Sequence, residues 1–161
     1  MTPGRRAAFE ALWRAQRGMR LDRALEAAAG RLDPREHGFA RALAYGTARL
    51  QGRLDHLLAP HAHGGLARLH PRVLLVLRLG LYQLLYQDVP DHAAVSQAVS
   101  QARSVGQGRA AGLVNAVLRS AARAGADGAS FPDPQRDPAG YLSTWGSHPR
   151  WLVERWLARW P

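Results

Sequence analysis

Apolar side chains recur three and four residues apart along most of this chain, and proline, glycine and short polar residues interrupt the recurrence. Thr2-Pro3 reads as a cap followed by a first-turn proline, and the helix behind it sets Ala8, Phe9, Leu12 and Trp13 on one side until Gly18. Leu21, Ala24, Leu25, Ala28 and Leu32 mark a second amphipathic helix. Asp33-Pro34-Arg35-Glu36 combines a cap, a proline and a glutamate spaced to reach back to its own helix start. The third helix carries Phe39, Leu43, Thr47, Leu50 and Leu54, and its continuation holds Leu57 and Leu58 before Pro60.

Residues 61–70 contain Gly64-Gly65 and three histidines, which predicts a loop with about one helical turn. Pro71 then opens the most apolar stretch, PRVLLVLRLGLYQLLYQDVP. Leu74, Leu77, Leu81, Leu84 and Leu85 cover one face and Val73, Leu75, Val76 and Leu79 the others, so this helix is expected at the buried centre. Pro90 ends it. Asp91 is placed to cap the next helix, where Val95, Ala98, Val99 and Ala102 turn inward. Beyond Gly106 and Gly108 a further helix sets Ala110, Leu113, Val117 and Ala121 inward and Asn115, Arg119 and Arg123 along an outer stripe. Residues 125–140, GADGASFPDPQRDPAG, read as a linker. After it, Ser147 and Pro149 predict the start of a short helix with Leu152, Trp156 and Trp160 four residues apart. Four of the five tryptophans fall in these last 17 residues. Rings so concentrated are expected either to fold back on the body or to dock on further protein.

Composition sharpens this outline. Alanine (29), leucine (23) and arginine (22) dominate the 161 residues, with nine Val, three Thr and no Ile, which favours helices over sheet. The fold class is therefore all-α. The absence of cysteine excludes disulfides, thiolate metal sites and cysteine nucleophiles within this sequence. No run approaches the ~20 apolar residues of a membrane span, and MTPGRRAAFE lacks the apolar stretch of a secretory signal. A soluble, cytoplasmic protein is the expectation.

The formal charge of +10 is carried by arginine alone, since there is no lysine. Residues 1–53 contribute +6, residues 54–125 +4, and residues 126–161 nothing net. A positive field over the body attracts polyanions, and guanidinium groups suit both phosphate and nucleobase faces. The residues placed for RNA contact are Arg5 and Arg6, Arg109 in the glycine-rich junction, and the Asn115, Arg119 and Arg123 stripe, with an ordinary solvated face as the equal alternative for Arg5, Arg6 and the stripe. Arg78, Tyr82 and Tyr86 recur every four residues, a spacing that suits a stacking strip or, preferably, a packed face with Asp55 as partner of Arg78. His56, His61, His63 and His70 lack a recognisable ligand spacing, so no metal site is assigned. No catalytic residue is assigned, because no paired carboxylates or activated hydroxyl stand out.

The runs LRLGLYQLLYQDVPDHAAVSQAV (77–99) and GLVNAVLR (112–119) resemble the helical RNA-binding domain of the antitermination factor NusB. The resemblance is closer to the version heading bacterial ribosomal-RNA cytosine-5 methyltransferases of the RsmB or Sun type. ALAYGTARLQGRLDHLL (42–58) is similar to that family's segment before the central helix, and YLSTWGSHPRWLVERWL (141–157) to its junction into the catalytic part. The resemblance implies a NusB-like bundle over 1–124, a linker over 125–140, and a helix over 141–161 leading towards a methyltransferase domain. It implies recognition of 16S rRNA. It also implies S-adenosylmethionine and two cysteines in the catalytic part, neither of which this chain provides for, so the chain alone is expected to be inactive. The alternative is a stand-alone antitermination factor that binds RNA with NusE.

Overall fold

The computed structural model describes residues 1–160, which are helical with no strand among them. Nine α-helices follow in order: α1 (Pro3–Ala15), α2 (Leu21–Ala29), α3 (Pro34–Arg49), α4 (Gln51–Leu58), α5 (Pro71–Tyr86), α6 (Asp91–Ser104), α7 (Ala111–Ala124), α8 (Pro138–Thr144) and α9 (Arg150–Arg159). Short 3₁₀ turns occupy Ala59–His61, Leu66–Arg68 and Gly108–Ala110. Helices α1, α2 and α3 pack on one another, and so do α5, α6 and α7. Helix α5 joins the two sets by also touching α1, α3 and α4.

This central position follows from the all-round apolar surface of α5. Val73, Leu75, Val76, Leu77, Leu79 and Leu81 are buried, whereas Leu74, Leu84 and Leu85 are only partly covered. Gly80 marks its closest approach to α6 and α7. A Cβ there would lie 2.6 Å from Leu118 Cδ1 and 3.2 Å from Ala98 Cβ. Arg78, 8 % exposed, is held in this apolar helix by Asp55 of α4 through two parallel bonds, Nε to Oδ1 and Nη2 to Oδ2, each 2.7 Å. Such a bidentate pair offsets part of the cost of desolvating both charges. The expected Asp55 partnership is therefore present.

Several sequence signals act on different partners than expected. Thr2 and Asp33 cap their own helices, accepting from the amides of Arg5 and of Arg35 and Glu36. Glu36 does not reach back; its Oε2 accepts from the Gly4 amide and so serves the start of α1. Asp91 makes no cap, because Pro90 holds the cap position and α6 begins at Asp91 itself. The third helix is not continuous through Leu58. It breaks at Leu50, where φ is −101° and ψ 15°, and α4 begins there without a side-chain cap. In α7 the inward set is Ala111, Val114, Val117, Leu118 and Ala121, and Leu113 is exposed. The 3₁₀ turn at Gly108–Ala110 enters α7 with a different pitch, so Ala111 and Val114 take the places expected of Ala110 and Leu113, while Val117 and Ala121 turn inward as expected. Helix α8 starts at Pro138, inside the stretch read as linker, with Asp137 Oδ1 accepting from Gly140 N.

Candidate nucleic-acid interface

The six candidate contact residues do not form one patch. Arg5 turns inward. Its Nε donates to Gln83 Oε1 at 2.7 Å, its guanidinium lies 5.0 Å from the Phe39 ring centre, and its carbonyl accepts from Gln101 Nε2 at 3.2 Å. Gln83 in turn donates to the Leu79 carbonyl at 3.1 Å. This bridge between α1, α5 and α6 desolvates the guanidinium and lowers its pKa, against the raising effect of the Glu36 charge. Arg5 is consequently an internal tie, and the exposed Arg6 is the surface cation of the pair.

Arg6 borders a concavity with Met1, Phe9, Glu10, Ser104 and Val105, between α1 and the end of α6. A second concavity continues from it over Phe9, Glu10, Trp13, Arg72, Ser104, Val105 and Gly106. Arg72 is fixed there by Nη1 donating to the Val105 carbonyl at 3.1 Å, with its guanidinium 5.1 Å from the Trp13 ring centre. Arg17 approaches the same ring at 6.0 Å. Arg103 and Arg109, both exposed, flank the turn joining α6 to α7, whose Gly106 has a φ of +78° that favours glycine. The result is a groove walled by α1 and this turn, with Trp13 on its floor, Arg6 and Arg72 along it, and the carboxylate of Glu10 among them. It offers guanidinium donors to a phosphodiester strand, with the Trp13 ring engaged by Arg72 and Arg17 and so holding them in place.

Asn115, Arg119 and Arg123 follow the outer side of α7 away from this groove. Asn115 Oδ1 accepts from Arg119 Nε at 3.1 Å and orients it. Arg119 and Arg123 line a separate cleft with Asp91, His92, Val95 and Ala122. At 1.5 Å per helical residue, Arg109 and Arg123 stand roughly 20 Å apart, about the span of several nucleotides. Trp13 and Arg72 were not apparent as site residues from sequence. The tryptophan shares the inward stripe of α1 and the arginine opens the most apolar helix, so periodicity hides both.

The four clustered histidines have separate roles. His56 Nε2 lies 2.9 Å from the Ser130 carbonyl, His61 Nδ1 2.9 Å from Ser120 Oγ, and His70 Nδ1 accepts from the Arg72 amide at 3.2 Å. His63 is exposed. Among the described residues no three His, Cys, Asp or Glu side chains converge to hold a metal ion. Likewise no helix is long and apolar enough to cross a membrane.

The arrangement can be compared with known proteins. The family model described as "NusB family" matches residues 2–123. The chain belongs to the NusB family. NusB from T. maritima matches the structure with a TM-score of 0.70 at 26% identity, over 78% of this chain and 94% of that one. A putative methyltransferase of Mycobacterium tuberculosis is 39% identical over 169 residues, which covers 96% of this chain and 35% of the relative. Ribosomal RNA small subunit methyltransferase B of Pseudomonas putida is 39% identical over 141 residues, covering 88% of this chain and 31% of the relative. The chain thus spans about a third of the length of these curated relatives. The NusB family match ends beside the last residues of α7, so α8 and α9 lie outside it.

Proposed function

We propose that this chain is the RNA-binding, non-catalytic N-terminal part of a ribosomal-RNA cytosine-5 methyltransferase, and that it recognises small-subunit rRNA. One observation carries this reading. The T. maritima NusB structure is nearly used up when 78% of this chain is matched, whereas the mycobacterial methyltransferase relative aligns with 96% of it. The tail beyond α7 is therefore shared with methyltransferase relatives. The groove of Arg6 and Arg72, with Arg109 beside it and Arg119 and Arg123 further along, supports this reading with cations that a phosphate backbone would meet.

Residues 1–124 act as the recognition body, 125–140 as its connection, and 141–161 as a junction towards a catalytic part that would bring S-adenosylmethionine and its own nucleophile. Trp151 in α9 and Trp160 just beyond its end are 65% and 64% exposed, large rings available for protein docking. The discriminating experiment is competition. Labelled fragments of 16S rRNA should bind this chain and be displaced by unlabelled 16S rRNA at lower concentration than by unrelated RNA of equal length. No methyl group should pass from S-adenosylmethionine to that RNA. Equal displacement by both RNAs, or tight capture of NusE, would overturn the reading.

A further inference from the structure

Residues 125–147 return across α4, where His56 meets Ser130 and Phe131 and Arg53 meets Trp145 and Ser147. Because α4 starts at Gln51 behind Leu50, which has no side chain able to cap it, the Arg53 amide needs an acceptor from elsewhere. Ser147 Oγ provides it at 2.8 Å from the far end of the chain. The Arg53 side chain makes three more ties. Its guanidinium lies 3.8 Å from the Trp145 ring centre, Nε donates to the Trp145 carbonyl at 2.7 Å, and Nη1 donates to the Tyr86 hydroxyl at 3.5 Å.

The backbone is shaped for this approach. A Cβ on Gly52 would stand 2.6 Å from the Ser143 carbonyl oxygen and 3.1 Å from Ser147 Cα. Ser147 itself has a φ of +57°, a left-handed conformation that costs a non-glycine residue energy and is retained where surrounding contacts require it. Phe131 closes one side, with ring centres 4.6 Å from His56 and 5.0 Å from Trp145. Helix α9 supplies little anchorage of its own: of its residues, Val153 alone is buried.

We infer that Arg53 is a positioning residue, which fixes the direction in which α9 leaves the body and so the orientation of Trp151, Trp156 and Trp160. A planar guanidinium stacks on an indole while its edge donates to a carbonyl, and a lysine ammonium does not reproduce that geometry. The inference goes beyond the RNA-binding reading and stands apart from it, since it concerns how the tail is held rather than what the groove binds.

The chain has no cysteine, so introduced thiols carry spin labels without interference. Ser96→Cys on α6 with Ala158→Cys on α9, both exposed positions, reports the body-to-tail distance. Ala42→Cys with Ser96→Cys reports the body alone. The native background is expected to give one narrow distribution for each pair. Arg53→Gln, Arg53→Lys and Gly52→Ala should each broaden the body-to-tail distribution roughly twofold while the body pair stays unchanged. An unchanged body-to-tail width in Arg53→Gln and Gly52→Ala would overturn the assignment. As a second readout that leaves the Arg53 side chain intact, Ser147→Ala should speed hydrogen exchange of the Arg53 amide by roughly five- to tenfold. Exchange at the native rate would also overturn it. Neither readout depends on RNA binding.

Discussion

Helices α5 and α9 both carry large apolar residues on more than one face, yet they end in opposite environments. Six bulky aliphatic side chains of α5 are buried, because helices surround it on several sides. Helix α9 packs chiefly on α8 and leaves Trp151, and Trp160 just past its end, in water. An apolar pattern therefore states that a face is suited to a partner, not that a partner is at hand. Where packing is dense the body is held by burial, and where it is sparse the tail is held by hydrogen bonds and stacking at Arg53.

Perturbations should separate the two regimes. The largest effect belongs to Asp55→Ala, which leaves the Arg78 guanidinium unpaired in the most buried helix and is expected to cost about 3–5 kcal/mol in urea unfolding. Leu77→Ala in α5 should cost roughly 2–5 kcal/mol by the same measurement, since the side chain has no exposed surface. Gly80→Ala should cost about 1–3 kcal/mol by forcing Leu118 aside. Gly112→Ala in α7, where a Cβ meets open space, should instead stabilise by about 0.5–1 kcal/mol. Trp160→Ala, at the exposed residue that follows α9, should change unfolding by less than about 0.5 kcal/mol. A Trp160→Ala cost comparable to that of Leu77→Ala would break the distinction.

Much of the body was legible because its helices bury stripes of ordinary spacing between proline and glycine stops. The all-α class, the central place of the helix behind Pro71, and the Arg78–Asp55 pair all follow from local pattern and the cost of burying a charge. The errors share a physical cause. Capping groups have short reach but no obligation to their own helix, so Glu36 serves α1 and Ser147 serves α4. Only the tertiary fold brings those partners within reach. Leu113 is exposed because a 3₁₀ entry sets the start of α7, and charge alone does not say that Gln83 waits beneath Arg5. The groove was half legible. Arg6 and Arg109 stand out as surface cations, whereas Trp13 and Arg72 acquire a role only when α1 meets the α6–α7 turn.

The central claim is that exposed guanidinium groups on this body hold RNA. The most direct test is the affinity for a 16S rRNA fragment measured across salt concentrations. The native chain should bind at low salt and weaken steeply as salt rises. Arg6→Ala and Arg109→Ala should each make the logarithmic slope shallower by about one. Affinity that is absent in dilute buffer, or indifferent to salt, would contradict the account.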